Sequence, residues 1–149
     1  ALADLLQQAG AVVELIRRDD TGSGLYQRIE RANAWEPDIH LSIHHSASSS
    51  PLPQGASAFY FANAANLSRA GSRLAGYIVN ALCSELGRCD LHKHGRNYAC
   101  LREVKPLSVQ VEPGYLSHPE EGPTLADHAV VAREAAAIMH GIECYLARL

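Results

Sequence analysis

IHLSIHH, running from Ile39 to His45, is the stretch on which the fold turns. A short run rich in branched apolar residues, bounded by breakers, reads as a buried strand. Glu36, Pro37 and Asp38 end whatever precedes it, because proline disfavours the α conformation in the residue before it. On its other side lies SASSSPLPQG, residues 46–55, a Ser/Pro/Gly loop. Successive side chains of a strand point to opposite faces, so His44 and His45 cannot both serve one ion.

Working outward, ASAFYFA (56–62) reads as the next strand and 66–86 as an amphipathic helix, with Leu67, Leu74, Ile78 and Leu82 near one face. Residues 87–97 read as loop. YACLR (98–102) and LSVQVE (107–112) read as two further strands. The last helix spans about 124–149, with Ala129, Ala132, Ala136, Met139 and Ile142 on its inner face. Upstream, 26–35 reads as a helix with a polar face and AVVELI (11–16) as a β-branched strand. Leu2, Leu5 and Leu6 are spaced as the face of a helix that stops at Gly10. Strands alternating with helices predict an α/β fold: one domain over residues 1–149, with a mostly parallel central sheet flanked by helices on both faces.

The chain has 149 residues, 47% apolar and 19% charged, and a formal charge of −3. That length supports a sizeable core. No Lys/Arg-rich stripe offers a footprint for nucleic acid, and no apolar run approaches the roughly 20 residues of a membrane span. The first ten residues carry no cationic leader or cleavage signature, so the chain reads as a mature or trimmed segment. Cys83, Cys89, Cys100 and Cys144 fit no CxxC metal spacing. Cys83 and Cys89 could pair in an oxidising compartment, or all four could be buried thiols.

In open α/β sheets functional residues gather beyond the carboxyl ends of strands. Two polar groups stand there. His44 ends an apolar strand and opens a small-residue loop, where a rigid neutral imidazole is a good zinc ligand or a satisfied structural histidine. Glu112 closes LSVQVE, where a carboxylate is costly unless it is solvated, partnered or given a task. The two are expected on one side of the sheet, facing one cleft, with His45 turned away. His92 and His94, in HKHG, read as plain loop residues or as binders of an adventitious metal.

Taken together, RIERANAWEPDIHLSIHHSA and VEPGYLSHPEE resemble the two hallmarks of the zinc-dependent N-acetylmuramoyl-L-alanine amidases (amidase family 3), R…AN…D…SIHxNA and VExGFLSNPxE. AGAVVELIRRDD, YACLREVKPLSVQVE and the closing Gly141, Ile142 and Tyr145 are similar to further parts of the family's pattern, in the same order along the whole chain. The resemblance implies hydrolysis of the bond between N-acetylmuramic acid and L-alanine in peptidoglycan, with zinc (Zn2+) as cofactor. It implies His44 as a metal ligand and Glu112 as the catalytic residue acting on water, with Arg28 and Asn33 supporting loop geometry. It also implies a periplasmic or secreted monomer, with any activator protein unidentified.

The sequence departs from the family in several places. His45 and Ser46 replace the small residue and Asn that usually follow the ligand, and His118 replaces the Asn of LSN. No DPGHGG segment is present, and with it the family's other His and Glu ligands are expected to lie on an N-terminal strand and helix absent from this sequence. The spacing from His45 to Tyr98 leaves room for one strand, one helix and a loop, which implies a compact domain without a long gating insertion. Two other classes remain open: a non-catalytic wall-binding or regulatory domain of this fold, and a zinc exopeptidase on a related scaffold.

Overall fold

In the strand Leu107–Glu112, Leu107, Val109 and Val111 turn to one side, and Ser108, Gln110 and Glu112 to the other. Everything else in the fold is arranged around those two faces. The computed structural model describes residues 1–19 and 22–149. Its elements are α1 (Leu2–Gln8), α2 (Leu25–Trp35), β1 (Ile39–Ile43), β2 (Ala56–Phe61), α3 (Arg69–Leu86), β3 (Asp90–Arg96), α4 (Ala99–Arg102), β4 (Leu107–Glu112), a 3-10 turn (Gly122–Thr124) and α5 (His128–Leu146).

The sheet has the order β1-β4-β2-β3. β1 runs parallel to β4 and β2 parallel to β3, while β2 and β4 are antiparallel. Two parallel pairs are thus joined back to back at the centre of the sheet. β4, paired on both sides, is the strand that carries Glu112 at its end.

The apolar face forms the main core. Val109, Val111, Ala56 and Ala58 are fully buried there against Leu74, Ile78 and Leu82 of α3 and Ile138 and Ile142 of α5. Each such Val, Leu or Ile side chain contributes about 1.5–3 kcal/mol by leaving water. α3 and α5 approach backbone to backbone at Gly141, where an added Cβ would lie 2.6 Å from the Cα of Ile78. Leu2 and Leu6 of α1 pack at the edge of this core. α4 lies over the polar face, where Ser108 Oγ donates to the Cys100 carbonyl at 2.9 Å. A smaller cluster of Ile29, Ala32 and Val104, flanked by Ile16 and Ala99, attaches α2 on this side. Asn33 clamps it: Nδ2 donates to the Glu103 carbonyl at 2.9 Å, and Oδ1 accepts from Lys105 N at 2.8 Å. Helices therefore flank the sheet on both faces, as the sequence predicts.

Five expectations need correction. Residues 11–16 form no strand, and Val12 is 85% exposed. β-branched residues favour a strand through packing on a pleated surface, and among the described residues no strand pairs with this segment. Tyr98–Arg102 is a helical turn: Arg102 N and Glu103 N donate to the carbonyls of Tyr98 and Ala99 at 2.9 Å each. A five-residue apolar run does not distinguish helix from strand. Within 87–97 lies β3, whose polar composition suits an edge paired only with β2. His92 and His94 are therefore strand residues. Finally, α5 buries Glu134, Ala135, Ala137, Ile138, Gly141, Ile142 and Tyr145, so of the expected inner face only Ile142 is buried. In α3, Leu74, Ile78 and Leu82 are buried as expected, but Leu67 precedes the helix and is 56% exposed.

Candidate active site

The register of β1 on β4 pairs Ser42 with Gln110 and Ile43 with Val111, which brings His44 and Glu112 side by side one step further on. His44 N donates to the Val111 carbonyl at 3.0 Å and carries the ladder past the end of β1. Because paired residues of parallel strands share a face, Ser42, His44, Gln110 and Glu112 stand together on the polar side. Ser57 of β2 lies opposite Glu112 across the antiparallel pair. Short-range hydrogen bonds orient both residues. Ser42 Oγ lies 3.0 Å from His44 Nε2, and Gln110 Nε2 donates to Glu112 Oε1 at 2.9 Å.

His45 turns the other way, as strand alternation requires. Its Nε2 lies 3.1 Å from Oε2 of Glu134 on α5. Glu134 Oε1 accepts from Arg88 Nη2 at 2.9 Å, and Arg88 Nη1 also bonds Glu121. Glu121 Oε2 in turn accepts from the backbone N–H of Tyr115 at 2.6 Å and of Gly55 at 3.3 Å. Both carboxylates are at least nine-tenths buried, so this paired network fixes the loops after β1 and β4 from below. The loops are also joined directly. Ser46 N donates to the Gly114 carbonyl and Leu116 N to the Ser46 carbonyl, each at 2.8 Å, and Ser48 N donates to Ser117 Oγ at 3.0 Å. Arg88 and Glu134 were invisible to sequence reasoning. Glu121 sits in the second hallmark, and a carboxylate there was the available signal.

A cavity of about 650 Å³ opens between α2, residues 14–19 and β1. His44, Ser42, Gln110, Cys100 and Arg28 line it. Glu112 is not in its wall but reaches it through the hydrogen bond to Gln110. His94 is remote from this corner, on β3, stacked on Phe59 with ring centroids 5.6 Å apart. His92 is exposed beside Asp90.

All four cysteines are free thiols. Burial pushes the Cys83 thiol pKa up, with Asp90 and Cys89 adding to the effect. Burial also pushes the Cys100 thiol up, partly offset by its own backbone hydrogen bond and by the charge of Arg28. Burial lowers the pKa of His40, whose Nδ1 lies 2.8 Å from Ser108 Oγ.

A catalytic zinc takes three protein ligands. His44 offers one imidazole, but among the described residues no three His, Cys, Asp or Glu side chains converge. The residues present do not by themselves make a zinc site. No helix among the described residues is long and apolar enough to cross a membrane.

Comparison with known proteins gives one answer. Residues 1–144 match the family described as N-acetylmuramoyl-L-alanine amidase. The amidase LytC of Bacillus subtilis is 30% identical over 142 residues, covering 94% of this chain and 28% of LytC. Among solved structures, the catalytic domain of the amidase CwlV from Bacillus (Paenibacillus) polymyxa superposes with a TM-score of 0.86 at 29% identity, covering 97% of this chain and 78% of that one. The amidase AmiC2 of Nostoc punctiforme gives 0.88 at 26%, with the same two coverages. The chain spans about a quarter of the length of the curated relatives LytC and CwlM.

Proposed function

This chain belongs to the N-acetylmuramoyl-L-alanine amidase family, and we propose that the protein carrying it hydrolyses the amide between N-acetylmuramic acid and the L-alanine that begins the peptidoglycan stem. The observation that carries the reading is the placement of His44 and Glu112 next to each other, on one face, at the ends of β1 and β4. Amide hydrolysis needs a base that takes a proton from the attacking water and returns it to the leaving nitrogen. Glu112 is assigned that role. Gln110 holds its Oε1, and among the described residues no donor contacts its Oε2. His44 is assigned as one donor to zinc, held through Ser42. Such a substrate lies outside the cytoplasmic membrane, so the site of action is the periplasm or the external wall.

The test is digestion of purified peptidoglycan in the presence of Zn2+, with mass spectrometry of the released peptides. Peptides beginning with L-alanine are expected. Glu112→Gln should keep the fold and lower the rate by on the order of 10²–10⁴, the usual cost of losing a general base. His44→Ala should lower zinc affinity as well as rate. Peptides with any other N-terminus, or near-normal activity of Glu112→Gln, would overturn the assignment. A second reading, a wall-binding domain without catalysis, is favoured by the lack of three converging metal donors among the described residues. Co-sedimentation with peptidoglycan without release of peptides would select it.

A further inference from the structure

The polar face of β4 carries a chain of hydrogen bonds that ends on Glu112. Ser108 Oγ donates to the Cys100 carbonyl at 2.9 Å and so pins the α4 turn over the strand. From that turn the Cys100 thiol reaches back, its Sγ 3.4 Å from Gln110 Oε1. Gln110 Nε2 in turn donates to Glu112 Oε1 at 2.9 Å. Cys100, Gln110 and Glu112 are all half-buried. Gln110 and Glu112 share a face of the strand about 7 Å apart, a distance that two long side chains close.

The chemistry of these groups permits one arrangement. An ionised carboxylate only accepts, so the end of the amide that meets Glu112 must be its NH2. Burial pushes the Cys100 thiol pKa up, and a protonated thiol is a donor, which suits the amide oxygen. Turning the amide over would set Gln110 Oε1 against a carboxylate oxygen, acceptor against acceptor. Even a weak donor such as a thiol therefore helps to fix the choice. The consequence falls on Glu112. An N–H held on one oxygen of a carboxylate is a charge-assisted bond that fixes the plane of the group. It leaves Oε2, which no donor among the described residues contacts, as the oxygen that takes a proton.

We propose that Gln110 and Cys100 are positioning residues for the general base: the thiol sets the amide, and the amide holds Glu112 with Oε2 free to receive the proton of the attacking water. This rests on the amidase reading of the site and deepens it, since both residues act through Glu112.

The experiment has a metal-free arm and a turnover arm, both on the protein carrying this chain. In the first, labelling with 15N-glutamine gives the side-chain amide signals, and Gln110→Met identifies that of Gln110 by its loss. One Nε2 proton, bonded to a carboxylate, should lie downfield of the exposed amides and exchange more slowly with water. Cys100→Ala should move it toward the exposed position, and Cys100→Ser, which keeps a donor, should lie between. The second arm follows release of L-alanyl peptides from peptidoglycan with Zn2+. Gln110→Met should lower kcat by roughly 10- to 100-fold, as loss of a hydrogen bond to a charged, positioned group does. KM, zinc affinity and unfolding midpoint should stay unchanged. Cys100→Ala should cost less, and adding it to Gln110→Met should cost nothing further, because the thiol acts only through the amide. A Gln110 signal indifferent to Cys100→Ala, a normal kcat in Gln110→Met, or additive losses in the double variant would overturn the proposal and leave the amidase reading intact. So would a loss of kcat that tracks a lowered unfolding midpoint, since Gln110 would then be structural. A wild type that releases no peptides would instead remove the amidase reading, and the positioning role with it.

Discussion

His45 Nε2 lies 3.1 Å from Oε2 of Glu134, across the sheet from the face that carries His44. One strand end is thereby divided between two tasks: His44 addresses the cavity, and His45 anchors the strand to α5 through a carboxylate that Arg88 also holds. Glu134→Ala removes a partner of both His45 and Arg88 but leaves Arg88 bonded to Glu121, so it should lower stability by about 2–3 kcal/mol, read from urea unfolding. His45→Ala should cost only about 1 kcal/mol, because Arg88 still satisfies Glu134. Equal costs would mean that His45, not Arg88, is the principal partner.

Asn33 ties α2 to the backbone just ahead of β4 with two hydrogen bonds. Asn33→Ala should cost about 1–3 kcal/mol, since it leaves Glu103 O and Lys105 N without that partner. Asn33→Asp should restore the bond from Lys105 N but not the one to Glu103 O. Its unfolding midpoint should fall between those of the wild type and Asn33→Ala.

His40 gives the fold an acid-sensitive limb. Ser108 Oγ donates its proton to the Cys100 carbonyl, so it accepts from His40 Nδ1–H. Burial holds the folded pKa below the ordinary 6.5. As pH falls through 6.5, the unfolded chain takes up the proton first. The stability contributed by neutral His40 is complete above that pH and is lost progressively below it, until the folded imidazole also protonates. Denaturant midpoints measured from pH 7.5 to 5 should fall more steeply for the wild type than for His40→Gln, and superimposable slopes would refute the assignment.

Two helical glycines should respond in opposite senses. At Gly141 a Cβ would press into the Ile78 backbone at 2.6 Å, so Gly141→Ala should destabilise by about 1–3 kcal/mol despite the gain in helix propensity. At Gly76 a Cβ would meet only the flexible Lys93 side chain at 3.4 Å. Gly76→Ala should therefore be neutral or stabilising by up to about 1 kcal/mol, the helix propensity difference. Thermal unfolding of the pair checks both signs.

What could be read in the sequence follows from how local its cause was. β1 and β4 announce themselves through branched apolar residues; their strand ends predicted His44 and Glu112 on one side of the sheet, and alternation turned His45 away. α3 was legible because its buried leucines and isoleucine lie on one stripe. Residues 11–16 were misread because β-branched composition expresses itself only against a partner strand. β3 was missed because an edge strand can be polar throughout. The inner face of α5 was misjudged because alanines fit either side of a helix, while burial of Glu134 depends on Arg88, forty-six residues away. Of the Arg88–Glu121–Glu134 network only Glu121, inside the second hallmark, had a local signal.

The pairing of β1 with β4 also governs when the site comes into being. His40 and Ser108 are sixty-eight residues apart in the chain, and the ladder joining their strands closes a loop that contains β2, α3 and β3. β2, α3 and β3 are neighbours in sequence and can assemble early, whereas closing the long loop costs more chain entropy and is slow. Among the described residues β1 is hydrogen-bonded to one strand only, β4, and its Ile39 and Leu41 pack on the main core. His44 and Glu112 thus meet only when that long loop closes. A chain still being synthesised, or one partly opened, carries both residues without the pair.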